Sequence, residues 1–116
     1  MSVSLTAAVA DERTLRLSEK LRRELGACVV GLLGESDVIE IVLNPDGRLW
    51  VERLGAVMEA IGQMSPGQAE ACIGTVAAMK GQTVTPNAPI LECELPIDGS
   101  RFEAILPPIV AAPVFA

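Results

Sequence analysis

Two stretches of the chain alternate between apolar and polar residues on either side of an Asp-Gly pair. They cover residues 38–53 and 90–106. Alternation with a period of two is typical of half-buried strands, and a central Asp-Gly pair is typical of a tight hairpin turn. Such a turn needs a positive φ, which glycine adopts without steric cost. The pattern therefore predicts two antiparallel hairpins, with Gly47 and Gly99 in their turns.

Two other stretches carry apolar residues at three- and four-residue spacing, which indicates amphipathic helices. They cover residues 14–33 and 66–80. The second helix has a defined start, because Ser65 has the position of an N-cap, Pro66 follows it, and Gln68 completes a capping-box pattern. The helical and strand periods together predict an α+β fold, in which two main helices lie on an antiparallel sheet.

The remaining segments complete the expected domain. Residues 56–61 predict a third strand, and the apolar residues 110–116 predict the opening of a last one. Residues 1–13 predict a flexible N-terminal tail, and residues 14–116 have the length of one domain with its own core. Because the sequence stops inside an apolar strand, we expect the chain to be a fragment of a longer protein.

Composition and charge exclude several classes of function. With 9 basic and 15 acidic residues the net charge is −6, which makes the chain a poor match for nucleic-acid phosphates. It has no histidine and no CxxC pair, which excludes the usual zinc sites and a Cys-His catalytic pair. Cys28, Cys72 and Cys93 lie in apolar stretches and predict small buried side chains in a reducing compartment. No membrane span or signal peptide is evident, so we expect a cytoplasmic protein.

No catalytic motif occurs in the sequence. Neither Lys20 nor Lys80 follows the glycines of a GxxxxGK[ST] phosphate loop, and the GxSxG, HExxH and GxGxxG motifs are absent. Glu92 and Glu94 fall on one face of a predicted strand, which is typical of a solvated face, whereas paired acid/base catalysis would need a cleft. The sequence therefore predicts a domain that performs no chemistry by itself.

Two places remain candidates for binding. Arg101 begins a predicted strand directly after a tight turn, so the backbone holds it at the rim of the sheet. Either its guanidinium binds a phosphate through two hydrogen bonds, or it is an ordinary exposed arginine. Trp50 shares one strand face with Arg48 and Glu52, which predicts either packing beneath a helix or an oligomer contact. The residues alone leave both pairs of alternatives open.

The sequences of the two hairpins are specific. They contain Asn-Pro-Asp-Gly-Arg-Leu-Trp-Val-Glu at residues 44–52 and Leu-Pro-Ile-Asp-Gly-Ser-Arg-Phe at residues 95–102. Both resemble stretches of one domain, the N-terminal domain of the ring-forming traffic ATPases of conjugation and type IV secretion. The resemblance is to the TrbB-like conjugal transfer ATPases in particular, and it extends from about residue 18 to residue 116 in the expected order.

This resemblance implies a curved antiparallel sheet of about six strands flanked by helices, followed in the family by a RecA-like ATPase domain that this chain lacks. Such proteins hold ATP and Mg²⁺ between the two domains. They form hexameric rings on the cytoplasmic side of the inner membrane and power conjugative DNA transfer or type IV secretion.

The same resemblance implies roles for this chain. Arg101 would reach toward the nucleotide that the C-terminal domain holds. The partners would be other copies in the hexamer, the chain's own ATPase domain and inner-membrane transfer components, with no direct contact to nucleic acid. Because the phosphate loop is absent, we expect this chain alone to bind no cofactor and to hydrolyse no ATP.

A rival function comes from another class. A sheet covered by helices is a common scaffold for binding, and the fold alone does not fix the function. A stand-alone module that binds a protein or a ligand without catalysis is therefore the alternative. A phosphate loop encoded downstream of residue 116 would distinguish the ATPase component from such a module.

Overall fold

The computed structural model describes residues 5–107, 110 and 112–115, and side chains from residue 12 onward. Within these residues there are three helices, α1 (Leu5–Leu25), α2 (Ala27–Leu33) and α3 (Pro66–Met79). The described strands are β1 (Val38–Leu43), β2 (Arg48–Arg53), β3 (Glu59–Gln63), β4 (Ile90–Glu94), β5 (Arg101–Ile105) and β6 (Val114–Phe115). They form one six-stranded antiparallel sheet in the order β3-β2-β1-β6-β5-β4. The predicted α+β fold is confirmed.

Both Asp-Gly hairpins form where the sequence predicts them, as the β1–β2 and β4–β5 pairs. Gly47 has φ 84° and Gly99 has φ 77°. In each turn the aspartate side chain accepts a hydrogen bond of 2.9 Å from the backbone N–H two residues later. This turn chemistry fixes where the returning strands begin, and it places Arg48 at the start of β2 and Arg101 at the start of β5.

The sheet has one covered face and one open face, because side chains alternate along each strand. On the covered face, the side chains of Leu49 and Phe102 are only 6% and 4% exposed. They belong to a core that includes Leu21 of α1 and Ile73 of α3. By alternation and register the open face carries Glu40, Val42, Trp50, Glu52, Glu92, Glu94, Arg101, Glu103 and Ile105. The described core side chains of the helices therefore lie on the covered face, opposite the charged face of the sheet.

Polar contacts join the two long helices. Thr75 Oγ1 lies 2.6 Å from Glu24 Oε1, to which it donates, and it accepts from Lys20 Nζ at 3.3 Å. The predicted N-cap is confirmed, since Ser65 Oγ accepts from Gln68 N at 3.1 Å. The Gln68 side chain donates instead to the carbonyl oxygen of Glu24 at 2.8 Å, so it connects the start of α3 to the end of α1.

The helix predicted over residues 14–33 differs from the observed one in two respects, and the flexible tail over residues 1–13 stays a prediction. The helix already begins at Leu5, while residues 1–4 lie outside the described residues. It is also interrupted at Gly26, whose φ of 89° separates α1 from α2. Cys28, on α2, is exposed rather than buried.

The burial of the other two cysteines and the bounds of the third strand can also be compared with the sequence predictions. Cys72 is buried as predicted, and burial, followed by the charge of Glu24, raises the pKa of its thiol to about 12. Cys93 is half-buried, and burial raises its pKa as well. The third strand occupies Glu59–Gln63 instead of residues 56–61, because pairing with β2 begins only at Glu59 and leaves Val57 90% exposed.

Candidate functional site

Arg101 lies at the rim of the sheet, as predicted. The turn before it is closed by hydrogen bonds from Gly99 N to Leu95 O at 2.8 Å and from Leu95 N to Ser100 O at 2.6 Å. Its neighbour Phe102 is buried in the core, so alternation directs Arg101 to the open face. The Arg101 side chain is 83% exposed, which leaves the guanidinium accessible to a ligand.

Carboxylates crowd this corner of the open face. Arg101 Nη2 pairs with Glu103 Oε1, two residues further along β5. Glu94 lies opposite Arg101 on β4, and Glu92 lies opposite Glu103. Glu92 and Glu94 are both exposed, as predicted for a solvated face. Three carboxylates and one guanidinium give the corner a net negative charge, which is electrostatically unfavourable for an approaching phosphate.

A groove of about 420 Å³ opens beside Arg101, between β1 and β5. Its apolar lining includes Val29 and Leu32 of α2, Ile41 of β1 and Phe102 of β5. The charged residues that also line it are Glu35, Glu40, Arg101 and Glu103. An apolar groove with an excess of carboxylates does not suit the phosphates of a nucleotide.

Arg48, Trp50 and Glu52 lie together on β2, separated from Arg101 by β1 and β6. Since Leu49 and Val51 are buried on the covered face, Trp50 faces away from the helical layer, which favours the contact interpretation over packing beneath a helix. Trp50 Nε1 is buried and has no hydrogen-bond partner among the described residues. The three predicted interface residues therefore lie together on β2, and Arg101 lies in another part of the sheet, on β5.

Sequence reasoning missed two features near these residues. The Glu103 partner of Arg101 was detectable, because residues two apart on a strand share a face. The second feature is an ion cluster at the end of β2, in which Arg53 Nη1 lies 3.1 Å from Asp37 Oδ1 and also pairs with Glu35. The hydrogen bond to Glu35, with that to Asp37, raises the pKa of Arg53. This cluster connects β2 to the loop between α2 and β1.

Within the described part of the chain, no group of three or more His, Cys, Asp or Glu side chains is arranged to hold a metal ion. No described helix has the length and apolarity required to cross a membrane.

The sequence is similar to two conjugal transfer proteins. It is 49% identical over 100 residues to a probable conjugal transfer protein TrbB of Sinorhizobium fredii. It is 48% identical over 100 residues to the conjugal transfer protein TrbB of Rhizobium radiobacter. Each match covers 86% of this chain and 31% of the relative, so the chain spans about a third of the length of these relatives. No protein-family model matches the sequence.

The fold is similar to that of the VirB11 ATPase from the Brucella suis type IV secretion system, solved in complex with sulphate. The TM-score is 0.74 and the match covers 90% of this chain and 32% of that chain, at 18% identity. At this identity the likeness shows a common fold alone. The sequence matches are far closer, and they confirm the resemblance predicted from the two Asp-Gly hairpins: over this domain-sized stretch, the chain is a homologue of the TrbB conjugal transfer proteins.

Proposed function

We propose that this chain is the N-terminal domain of a hexameric ATPase that powers conjugative DNA transfer or type IV secretion. The observation that carries the proposal is the 49% identity to TrbB over 100 residues, which cover only 31% of that protein. The remaining length is enough for a second domain of ordinary size. That domain would supply the phosphate loop, which binds ATP and Mg²⁺. This chain has no motif of that kind.

Arg101 completes the nucleotide site in this proposal. A guanidinium delivered from outside the phosphate-binding domain stabilises the charge that develops during phosphoryl transfer. The turn before β5 holds Arg101 in place, and its exposed pair with Glu103 contributes only about 0–1 kcal/mol. A nucleotide held by a phosphate loop would therefore displace Glu103 at little cost. In this proposal the second domain brings the phosphate close to Arg101 against the negative charge of this corner.

Arg48, Trp50 and Glu52 form the proposed contact between neighbouring copies in the ring. Trp50 is half-buried and its Nε1 lies inside the domain, so a second copy would contact the indole ring rather than this N–H. Tryptophan and arginine are enriched at interface cores. With Arg48 and Glu52 on the same face, the patch offers both charge signs to a partner. The ring would work in the cytoplasm, at the inner-membrane components of the transfer apparatus.

The test is a chimera in which this chain replaces the matching stretch of Sinorhizobium fredii TrbB. Its mass is measured by sedimentation equilibrium with ATP and Mg²⁺ present. We expect the same assembly as in the parent. Trp50→Ala removes the indole ring from the proposed contact and should weaken self-association about thirtyfold, the loss typical of an interface hot spot.

The matched control is Leu54→Ala, because Leu54 is 76% exposed and lies outside the proposed contact. It should assemble like the unmodified chimera. A chimera that stays monomeric while the parent assembles would instead favour the stand-alone binding module.

A further inference from the structure

Strand β6 is short, and both of its neighbours extend beyond it. Its described pairs join Phe115 to Leu43 on β1 and to Ala104 on β5. β1 extends back to Val38 and β5 to Arg101, with no described partner on the side that faces β6. Two strand edges therefore run alongside each other past the last described residue of β6.

The 420 Å³ groove occupies the space between these two edges. It is lined by the consecutive residues 38–41 of β1 and by residues 100–103, which run from the turn into β5. Consecutive side chains of a strand point to opposite faces, so a pocket on one face would be lined by every second residue. The lining therefore identifies a gap in the sheet itself. Every second residue of β1 and β5 directs its backbone N–H and C=O into this gap and has no strand partner there among the described residues. Phe115 also lines the groove, so β6 leads directly into it.

We propose that this gap receives a short extended strand, and that the occupant is the polypeptide that continues from β6 in proteins as long as the TrbB relatives. The inference rests on the proposed function, in which a second domain follows this one. The relatives are long enough to supply the segment, since the match covers 31% of their length. No connecting loop is needed, because the strand only prolongs β6.

The register defines the chemistry of the occupant. The second residue after Phe115 would lie opposite Ile41 on β1 and Phe102 on β5, because the existing antiparallel pairs continue in step. Its side chain would face Val29 and Leu32 of α2, which favours an apolar residue. The residues on either side of it would face the open side of the sheet. The occupant should therefore alternate, with apolar residues in phase with Phe115.

This strand would also affect the nucleotide site. It would pair with the start of β5, where Arg101 lies, and the chain would then pass into the second domain. Movement of that domain would thus be transmitted through hydrogen bonds to the segment that positions Arg101.

The test compares three versions of the chain with four residues added after Ala116. Val-Thr-Val-Thr places valine in phase with Phe115. Thr-Val-Thr-Val has the same composition in the opposite phase, and Gly-Ser-Gly-Ser is flexible. Thermal unfolding is measured for each, with sedimentation to record mass. Amide hydrogen exchange is followed at Ile39, Ile41, Arg101 and Glu103, whose N–H groups point toward the gap.

We expect Val-Thr-Val-Thr to raise Tm by about 5 °C or more and to slow exchange at these amides at least about tenfold, in a monomer. The out-of-phase version should give less than half of this rise, because a one-residue shift turns every side chain to the other face. Equal effects of the two valine versions, no effect of either, or a Tm rise that needs dimerisation would each overturn the proposal. The ATP turnover of the chimera does not depend on these added residues, so failure here is distinguishable from failure of the proposed function.

Discussion

Replacing Arg101 by alanine in the chimera is expected to lower ATP turnover about 10³-fold. The physical reason is that the guanidinium offers two parallel donors to a phosphate whose charge increases in the transition state. Arg101→Lys should recover little of the loss, because an ammonium cannot reproduce this planar fork. The melting temperature should hardly change, since the side chain is 83% exposed and its pair with Glu103 is weak.

The control is Arg22→Ala, which removes another exposed arginine, on α1, away from the proposed site. It should keep the turnover of the unmodified chimera. Steady-state ATPase rates and melting curves for all three variants decide the result. Full activity in Arg101→Ala would leave Arg101 as a solvated charge at the end of a strand.

Replacing Ile73 by alanine is expected to lower the free energy of unfolding by about 2–5 kcal/mol. Ile73 is fully buried on α3, in the core between the helices and the sheet. The truncation removes buried apolar surface and leaves a cavity that close-packed neighbours fill only in part. Because a domain is stable by only about 5–15 kcal/mol, the loss is a large fraction of the total. Urea unfolding followed by circular dichroism measures it.

Ile90→Ala provides a matched comparison. It deletes the same atoms from a residue of β4 that is 55% exposed. Its cost should stay below about 1 kcal/mol, the range of strand propensity. If the two substitutions destabilise the chain equally, α3 does not pack on the sheet as described.

Local patterns predicted the elements that local chemistry determines. The Asp-Gly turns fixed both hairpins, and Ser65 with Pro66 fixed the start of α3. The break at Gly26 was not predicted, because apolar residues continue at helical spacing on both sides of it. A spacing pattern carries no information about a change of backbone direction. The third strand was misplaced because apolar Val57 belongs to a turn that leaves it exposed.

The candidate site likewise combines features that the local sequence predicts with features that it does not. Arg101 was predictable at the sheet rim, since its position depends on the turn beside it. The groove was not, because it exists only where β6 inserts between β1 and β5, strands that lie far apart in the sequence. The unpaired Trp50 Nε1 also depends on packing that no local pattern contains.

Conjugative transfer in cells tests whether this chain can serve as the N-terminal domain of a transfer ATPase. A donor strain that lacks its TrbB gene is supplied with the chimera, with the chimera carrying Arg101→Ala, or with TrbB whose matching stretch is deleted. Transfer frequency is scored beside immunoblots that show equal protein levels. We expect the chimera to restore transfer and the other two proteins to give none. Transfer at the level of the deletion strain, from a chimera that accumulates and folds, would contradict this expectation.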